Sequence, residues 1–167
     1  SMGEYSSLFA ANKLAYFLQR KGQRLNLDFK AHYYGPYALG VEKVLYHLNG
    51  TYLAGMEQGQ AKPFEPLKLN YEKWEEVNQY VKRELKAEDV ERVNSLIQFL
   101  SGFTSELSLE ILATVDFIIT QHPKYTIDEV MQSIATWNMR KKELFKREYV
   151  QVSYDYLKNY SFNLFTF

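Results

Sequence analysis

Apolar residues recur at helical spacing along most of the chain, and the densest run covers residues 102–121. There Leu107, Ile111, Val115 and Ile118 repeat at that spacing, while Leu109, Leu112 and Ile119 spread apolar surface around most of the cylinder. A helix apolar on most of its circumference packs on several sides, so this segment is predicted to be the buried centre of the fold. Glu106 and Glu110 fall where a first turn favours negative charge, and Glu110, Thr114 and Gln121 leave a thin polar stripe. His122-Pro123 ends the helix, because a proline disfavours helical geometry in the residue before it.

The remaining elements follow from the same reading. Residues 4–20 predict a helix with Leu14, Phe17, Leu18 and Ala10 or Ala11 on one side, closed by Gly22. Residues 25–30 alternate with period two, the mark of a short, half-buried strand. Residues 31–36 form a turn, with Pro36 suited to the start of a helix that carries Val41, Val44, Leu45 and Leu48 and stops at Asn49-Gly50. Residues 51–55 and 66–69 pair as a hairpin around a Gly- and Gln-containing loop, and strand, helix and hairpin in that order resemble a winged helix. Asn70 caps a helix over residues 71–85 with Trp74, Val77 and Val81 inward, and residues 87–100 form a second with Val90, Val93, Ile97 and Leu100.

The best-marked helix start is Thr126-Ile127-Asp128-Glu129, a capping box that Tyr125 and Val130 flank at hydrophobic-staple spacing. Val130, Met131 and Ile134 give that helix a buried face. Residues 137–145 are a basic junction, and a last helix over about residues 148–159 carries Val152 and Leu157. The predicted fold is mainly α: a compact multi-helix domain with a short strand and a β-hairpin, winged-helix-like in its N-terminal part.

Composition narrows the class. At 167 residues, 46% hydrophobic and 24% charged with four prolines, the chain reads as one soluble globular domain over residues 4–167. Ser1-Met2-Gly3 reads as a cloning remnant, which makes the domain an excised piece. No apolar run reaches membrane-spanning length. The absence of cysteine excludes disulfides and thiolate zinc sites, and with no secretory signal it points to the cytoplasm.

The net charge is zero, which argues against bulk attraction to nucleic acid, but it is unevenly spread. Residues 1–70 hold eight basic and five acidic side chains, residues 71–136 six and twelve, and residues 137–167 six and three. The acidic middle, dense at Glu72, Glu75, Glu76, Glu84, Glu88, Asp89 and Glu91, has the ordinary reading of a solvated helix face.

Catalytic signals are nearly absent. No phosphate loop, nucleophile elbow or Gly-rich dinucleotide fingerprint occurs, and His32, His47 and His122 lack the paired spacing of metal ligands. Glu110 and Asp116 are six residues apart, more than half a turn from alignment, so they are not expected to act as a carboxylate pair. No catalytic, cofactor or metal residue is assigned on these grounds, and the chain is expected not to be an enzyme. Its aromatic content points elsewhere: among 14 Tyr, 11 Phe and two Trp, Tyr33, Tyr34 and Tyr37 crowd one turn. They either pack the turn onto the core or serve as binding anchors, a role that suits a ring bearing a hydroxyl. Arg140, Lys141 and Lys142 either clasp phosphates or answer a helix dipole.

Five segments then carry a resemblance. Lys13-Leu14-Ala15-Tyr16-Phe17-Leu18, Tyr34-Gly35-Pro36-Tyr37-Ala38, Leu48-Asn49-Gly50-Thr51-Tyr52, Gly102-Phe103 with Leu109-Glu110-Ile111-Leu112-Ala113-Thr114-Val115, and Trp137-Asn138-Met139-Arg140-Lys141 occur in one order over nearly the whole chain. Together they resemble the C-terminal region of the DarG antitoxins, and the Tyr-Gly-Pro element also resembles the Panacea antitoxin domains. Where that pattern continues the central helix with histidine and tryptophan, this chain has Asp116-Phe117.

The resemblance implies a function in partner binding. DarG proteins join an N-terminal macrodomain, which removes ADP-ribose from thymidine in DNA, to a C-terminal domain that binds and blocks the toxin DarT. DarT is an NAD-using ADP-ribosyltransferase of single-stranded DNA. Only the second part is matched here, which implies a DarT-like toxin as partner, a macrodomain elsewhere in the parent protein, and no membrane or direct DNA contact. An acidic stretch with displayed tyrosines suggests competition by DNA mimicry, with Glu72, Glu75, Glu76 and Glu88 in place of phosphates and Tyr33, Tyr34 and Tyr37 in place of bases. The alternatives are a winged-helix DNA-binding regulator, which the sequence pI of 6.8 disfavours, and a small hydrolase using Glu110.

Overall fold

In order, the chain forms β1 (Ser6–Ser7), α1 (Leu8–Arg20), β2 (Lys30–His32), β3 (Gly35–Tyr37), α2 (Leu39–Leu48), β4 (Leu53–Ala54), β5 (Pro66–Leu69), a 3-10 turn (Tyr71–Lys73), α3 (Trp74–Glu84), α4 (Ala87–Phe99), α5 (Glu106–Gln121), α6 (Ile127–Trp137), α7 (Met139–Leu144) and α8 (Arg147–Leu164). This computed structural model describes residues 6–57 and 62–164, the last four by backbone alone. Residues 1–5, which hold the expected remnant and the first two residues of the expected N-terminal helix, lie outside the described residues, as does part of the loop between β4 and β5, while Ser6–Ser7, expected as helix, form β1.

The architecture is mainly helical, with small antiparallel sheets, and α5 is its centre. Leu109, Leu112, Ala113 and Val115 have no exposed surface. Helices α1, α6 and α8 and strand β3 pack around them. Ser105 caps the helix by accepting from the Ser108 amide at 3.1 Å. The expected polar stripe is not a solvent face, because Glu110 and Thr114, together with Asp116, are buried among the surrounding elements.

Helix α1 starts at Leu8, capped by Ser7. Residues 25–30 keep the expected alternation of side-chain burial, but 25–29 are not a strand. The Gln19 side chain holds both the N–H and the C=O of Leu27, each at 2.9 Å, in place of a neighbouring strand. The ladder begins only at Lys30, where β2 and β3 pair as Lys30 with Tyr37, Ala31 with Pro36 and His32 with Gly35. Pro36 therefore sits in β3, and α2 begins three residues later. The β4–β5 hairpin forms as expected, with Leu53 opposite Leu69, and β1 adds to β5 to give the order β1-β5-β4.

The capping box at Thr126 is present, with reciprocal bonds between Thr126 and Glu129. Tyr154 and Tyr156 of α8 donate their hydroxyls at 2.7 Å to the carbonyls of Tyr125 and Phe99, fastening that helix at two places. Val150, Ser153 and Leu157 are its buried residues among those described, whereas Val152, expected with Leu157 as an apolar position of this helix, is exposed.

Helices α3 and α4 depart furthest from expectation. Trp74, Val81, Val90, Val93 and Ile97 are exposed, not inward. Only the C-terminal end of α4, through Leu96, Phe99 and the following Leu100, enters the core. Among the described residues α3 packs chiefly against the 3-10 turn that precedes it. It is tied down at its start by Asn70, and by the Tyr52 hydroxyl, which donates to Glu76 at 2.7 Å. No described helix is long and apolar enough to cross a membrane.

Candidate functional site

The hairpin of β2 and β3 carries Tyr33 and Tyr34 at its tip and contains one of the five segments of the resemblance, and three others meet beneath it. Lys13 of α1 donates to the Pro36 carbonyl at 2.8 Å, and Asn12 beside it accepts from the Ala38 amide at 2.9 Å. From the other side Trp137 donates its indole N–H to the His32 carbonyl at 2.8 Å, and Asn138 donates to the Tyr33 carbonyl at 3.0 Å. Gly35 adopts φ +100°, and a Cβ at that position would lie 3.0 Å from the Thr114 hydroxyl, so glycine is required both by conformation and by close approach. Backbone positions are fixed here by side chains from α1, α6 and the start of α7.

Below the hairpin lies a buried charge cluster. Glu110 accepts from Arg140 at 2.6 Å and from the ammonium of Lys141, which has no exposed surface. Asn138 caps α7 by accepting from the Lys141 amide at 2.8 Å, and α7 thereby carries Lys141 inward. Lys13 is equally buried. Burial pushes its pKa down to about 7, with Lys141 adding to the shift and Glu110 opposing it. Burial also lowers the pKa of Lys141, again against the attraction of Glu110. The Arg140 guanidinium lies 4.8 Å from the ring centre of Tyr34 and 5.9 Å from that of Tyr33, so it links the charge cluster to the displayed rings.

A second buried cluster lies further along α5. Asp116 accepts from the Tyr16 hydroxyl at 2.6 Å and from Arg20 at 2.8 Å. Burial, and after it the adjacent carboxylate, holds the Tyr16 hydroxyl well above its usual pKa. Glu110 and Asp116 thus serve separate partners, as their spacing on the helix predicts. Both are closed to solvent. The Thr114 hydroxyl is the buried side-chain polar atom with no partner among the described residues.

The expected site residues fall into two groups. Tyr33 is half exposed, whereas Tyr34 folds against Phe9 and Phe64, and Tyr37 bonds to Glu42 and stacks on His32. Glu72, Glu75, Glu76 and Glu88 are all exposed along the 3-10 turn, α3 and the first turn of α4. No hydrogen bond, ion pair or ring contact among the described residues joins these glutamates to the tyrosine hairpin. Of the basic cluster, Lys141 is buried and Arg140 is paired, which leaves Lys142 in solvent; the phosphate clasp is corrected to an internal ion pair. His32 and His122 stack on tyrosines and His47 contacts the Lys43 carbonyl, each apart from the others.

Sequence reading missed Asn12, Lys13 and Lys141 as internal residues, and Asn138 as a half-buried anchor of the hairpin. A signal for one was available: Phe9, Lys13 and Phe17 share a stripe at intervals of four, which places Lys13 on the buried face of α1.

No family model matches the chain. A DNA ADP-ribosyl glycohydrolase of Thermus aquaticus is 31% identical over 157 residues, covering 94% of this chain and 42% of that protein. DNA ADP-ribosyl glycohydrolases of Mycobacterium bovis and Mycobacterium tuberculosis are each 24% identical over 146 residues, covering 86% of the chain and 42% of the protein. The chain therefore spans about two-fifths of the length of the curated relatives it matches. These names overturn the expectation that the chain is not an enzyme, since relatives aligned along nearly all of it are named for a hydrolytic activity. The lack of a recognisable motif was no argument against chemistry. Along most of its length the chain is similar to a part of proteins named DNA ADP-ribosyl glycohydrolase, which supports the DarG relationship.

Proposed function

We propose that the chain acts in a DarG-related toxin–antitoxin system by binding a DarT-type toxin and denying it single-stranded DNA. The observation that carries this reading is the convergence of three resembling segments on a fourth, the hairpin of Tyr33 and Tyr34, where side chains from α1, α6 and the start of α7 hold a short surface turn in one geometry. Such investment in the shape of an exposed turn suits recognition of a partner.

The acidic strip supplies the second element. A surface that binds single-stranded DNA combines a positive groove with platforms for stacking. Glu72, Glu75, Glu76 and Glu88 stand in solvent where they can take the place of phosphates, and Tyr33, with Tyr34 and Tyr37 behind it, can take the place of bases. Association driven this way is fast and weakens as salt rises. The activity in the relatives' name, release of ADP-ribose from DNA, is proposed for the same protein.

Order of addition tests the reading. The chain is mixed with the toxin before NAD and a single-stranded oligonucleotide, or is added after the toxin has been quenched and the adduct formed. Stoichiometric suppression in the first arm is expected. Undiminished modification there rules out neutralisation, and loss of preformed adduct in the second arm reports hydrolysis by the chain.

A further inference from the structure

Between residues 69 and 80 the chain leaves large apolar side chains in water along one groove: Leu69, Tyr71, Trp74 and Tyr80 are each more than half exposed. Contiguous apolar surface of this kind marks interaction sites more often than it occurs by chance. Helix α3 makes the point sharply. Trp74, Val77 and Val81 recur at helical spacing, yet none of its 11 residues is buried. A helix of that length is marginal in water on its own, and an amphipathic one gains most of its stability from a covered apolar face.

The face is concave. Trp74, Val77 and Tyr80 of α3, with Tyr52, Leu53 and Leu69 from the β4–β5 hairpin, line a groove of about 660 Å³. Glu76 stands at its edge, held by Tyr52 and by Lys73, and Arg83 lies against the Tyr80 ring. Residues 71–91 hold seven acidic and four basic side chains. Two copies of the chain meeting through this face would oppose like charge, and an anionic lipid surface would be repelled. A cationic protein is attracted.

We infer that the groove between α3 and the β4–β5 hairpin is the surface on which the toxin docks, receiving an apolar side chain from a partner element whose flanks carry lysine or arginine. This inference rests on the toxin-binding reading and assigns it a principal anchor. The glutamates then act as a charged rim that guides approach, and Trp74 and Tyr80 supply the apolar contact, in the manner of helix-and-groove recognition. Because α3 is held at one end and uncovered along its length, it becomes firmly ordered when the partner seats.

The test measures binding of the 167-residue chain to the purified DarT-type toxin by calorimetry, for the unchanged chain and for Trp74→Ala, Tyr80→Ala and the control Val152→Ala on α8. Circular dichroism checks folding, and hydrogen exchange follows residues 71–85 with and without toxin. The expected result is at least a tenfold loss of affinity for Trp74→Ala and for Tyr80→Ala with helicity retained, no loss for the control, and new protection within 71–85. Unchanged affinity in both α3 variants, or protection confined to other segments, overturns the inference while leaving the toxin-binding reading intact. Failure of the unchanged chain to bind overturns both. A dimer that Trp74→Ala dissociates, seen by light scattering, assigns the groove to a second copy and overturns the toxin docking.

Discussion

Trp137 donates its indole N–H to the carbonyl of His32 at 2.8 Å, a bond between residues 105 apart in sequence that ties the end of α6 to the tyrosine hairpin. Trp137→Phe keeps the ring packed against Phe117 and removes only the donor. A net cost of about 1 kcal/mol is expected, the usual worth of one such bond. Urea denaturation gives the cost, and hydrogen exchange should quicken in residues 30–37 more than in α5.

Glu110 is the anion between Arg140 and the fully buried Lys141. Glu110→Gln leaves the Lys141 ammonium buried without its counter-charge, and breaking a buried pair from one side costs about 3–5 kcal/mol. The double variant Glu110→Gln/Lys141→Met should recover part of that loss, because the fully buried ammonium is removed with its counter-charge and the Arg140 guanidinium that remains reaches solvent. Denaturant midpoints of the three proteins check this, and a double variant less stable than Glu110→Gln would show that Lys141 stabilises by some other route.

The lowered pKa of Lys13 sets a pH dependence. Unfolded, the amine keeps its proton up to its ordinary value of 10.5; folded, it loses the proton near 7. Between those values the unfolded state binds more protons, so stability rises as pH rises, and below about pH 7 this contribution is absent. Lys141, shifted the same way, adds to the rise, while Tyr16, shifted upward, opposes it only where an ordinary tyrosine begins to ionise, near pH 10. The urea midpoint should climb from pH 7 to pH 9.5 and climb less in Lys13→Met. A flat or falling profile in the unchanged chain contradicts the assignment.

Two glycines with positive φ separate conformational cost from steric cost. Gly50→Ala places a methyl in open space at φ +86°, whereas Gly35→Ala at φ +100° presses it to 3.0 Å from Thr114. The first should cost about 1 kcal/mol and the second up to about 3 kcal/mol, within the range for strained backbone positions. Thermal melts of the two variants check the order, and equal losses would mean that Thr114 moves aside.

Local signals in the sequence were read correctly where one element decides the outcome. Thr126 and Glu129 satisfy the first turn of α6 from within four residues, and the apolar run of α5 fills most of a cylinder, so neither depends on distant chain. Periodicity was less informative about what lies opposite. In residues 25–30 it gave the right side-chain directions, yet the backbone partner is Gln19 and not a strand. In α3 it gave the right helix and the wrong environment, because a stripe such as Trp74, Val77 and Val81 specifies a face and not its cover. Lys141 was hidden for another reason: a lysine is placed in water by default, and only the position of Glu110 in three dimensions reveals why it is inside.

The uncovered state of α3 also separates recognition from folding. Since none of its side chains is buried, replacing them alters the surface offered to a partner while the core around α5 is untouched, and exposed positions of this kind usually change stability by no more than about 0.5 kcal/mol. The molecule thus has a stretch in which partner preference can be rewritten one residue at a time, without the compensating changes that a graft into the interior would demand.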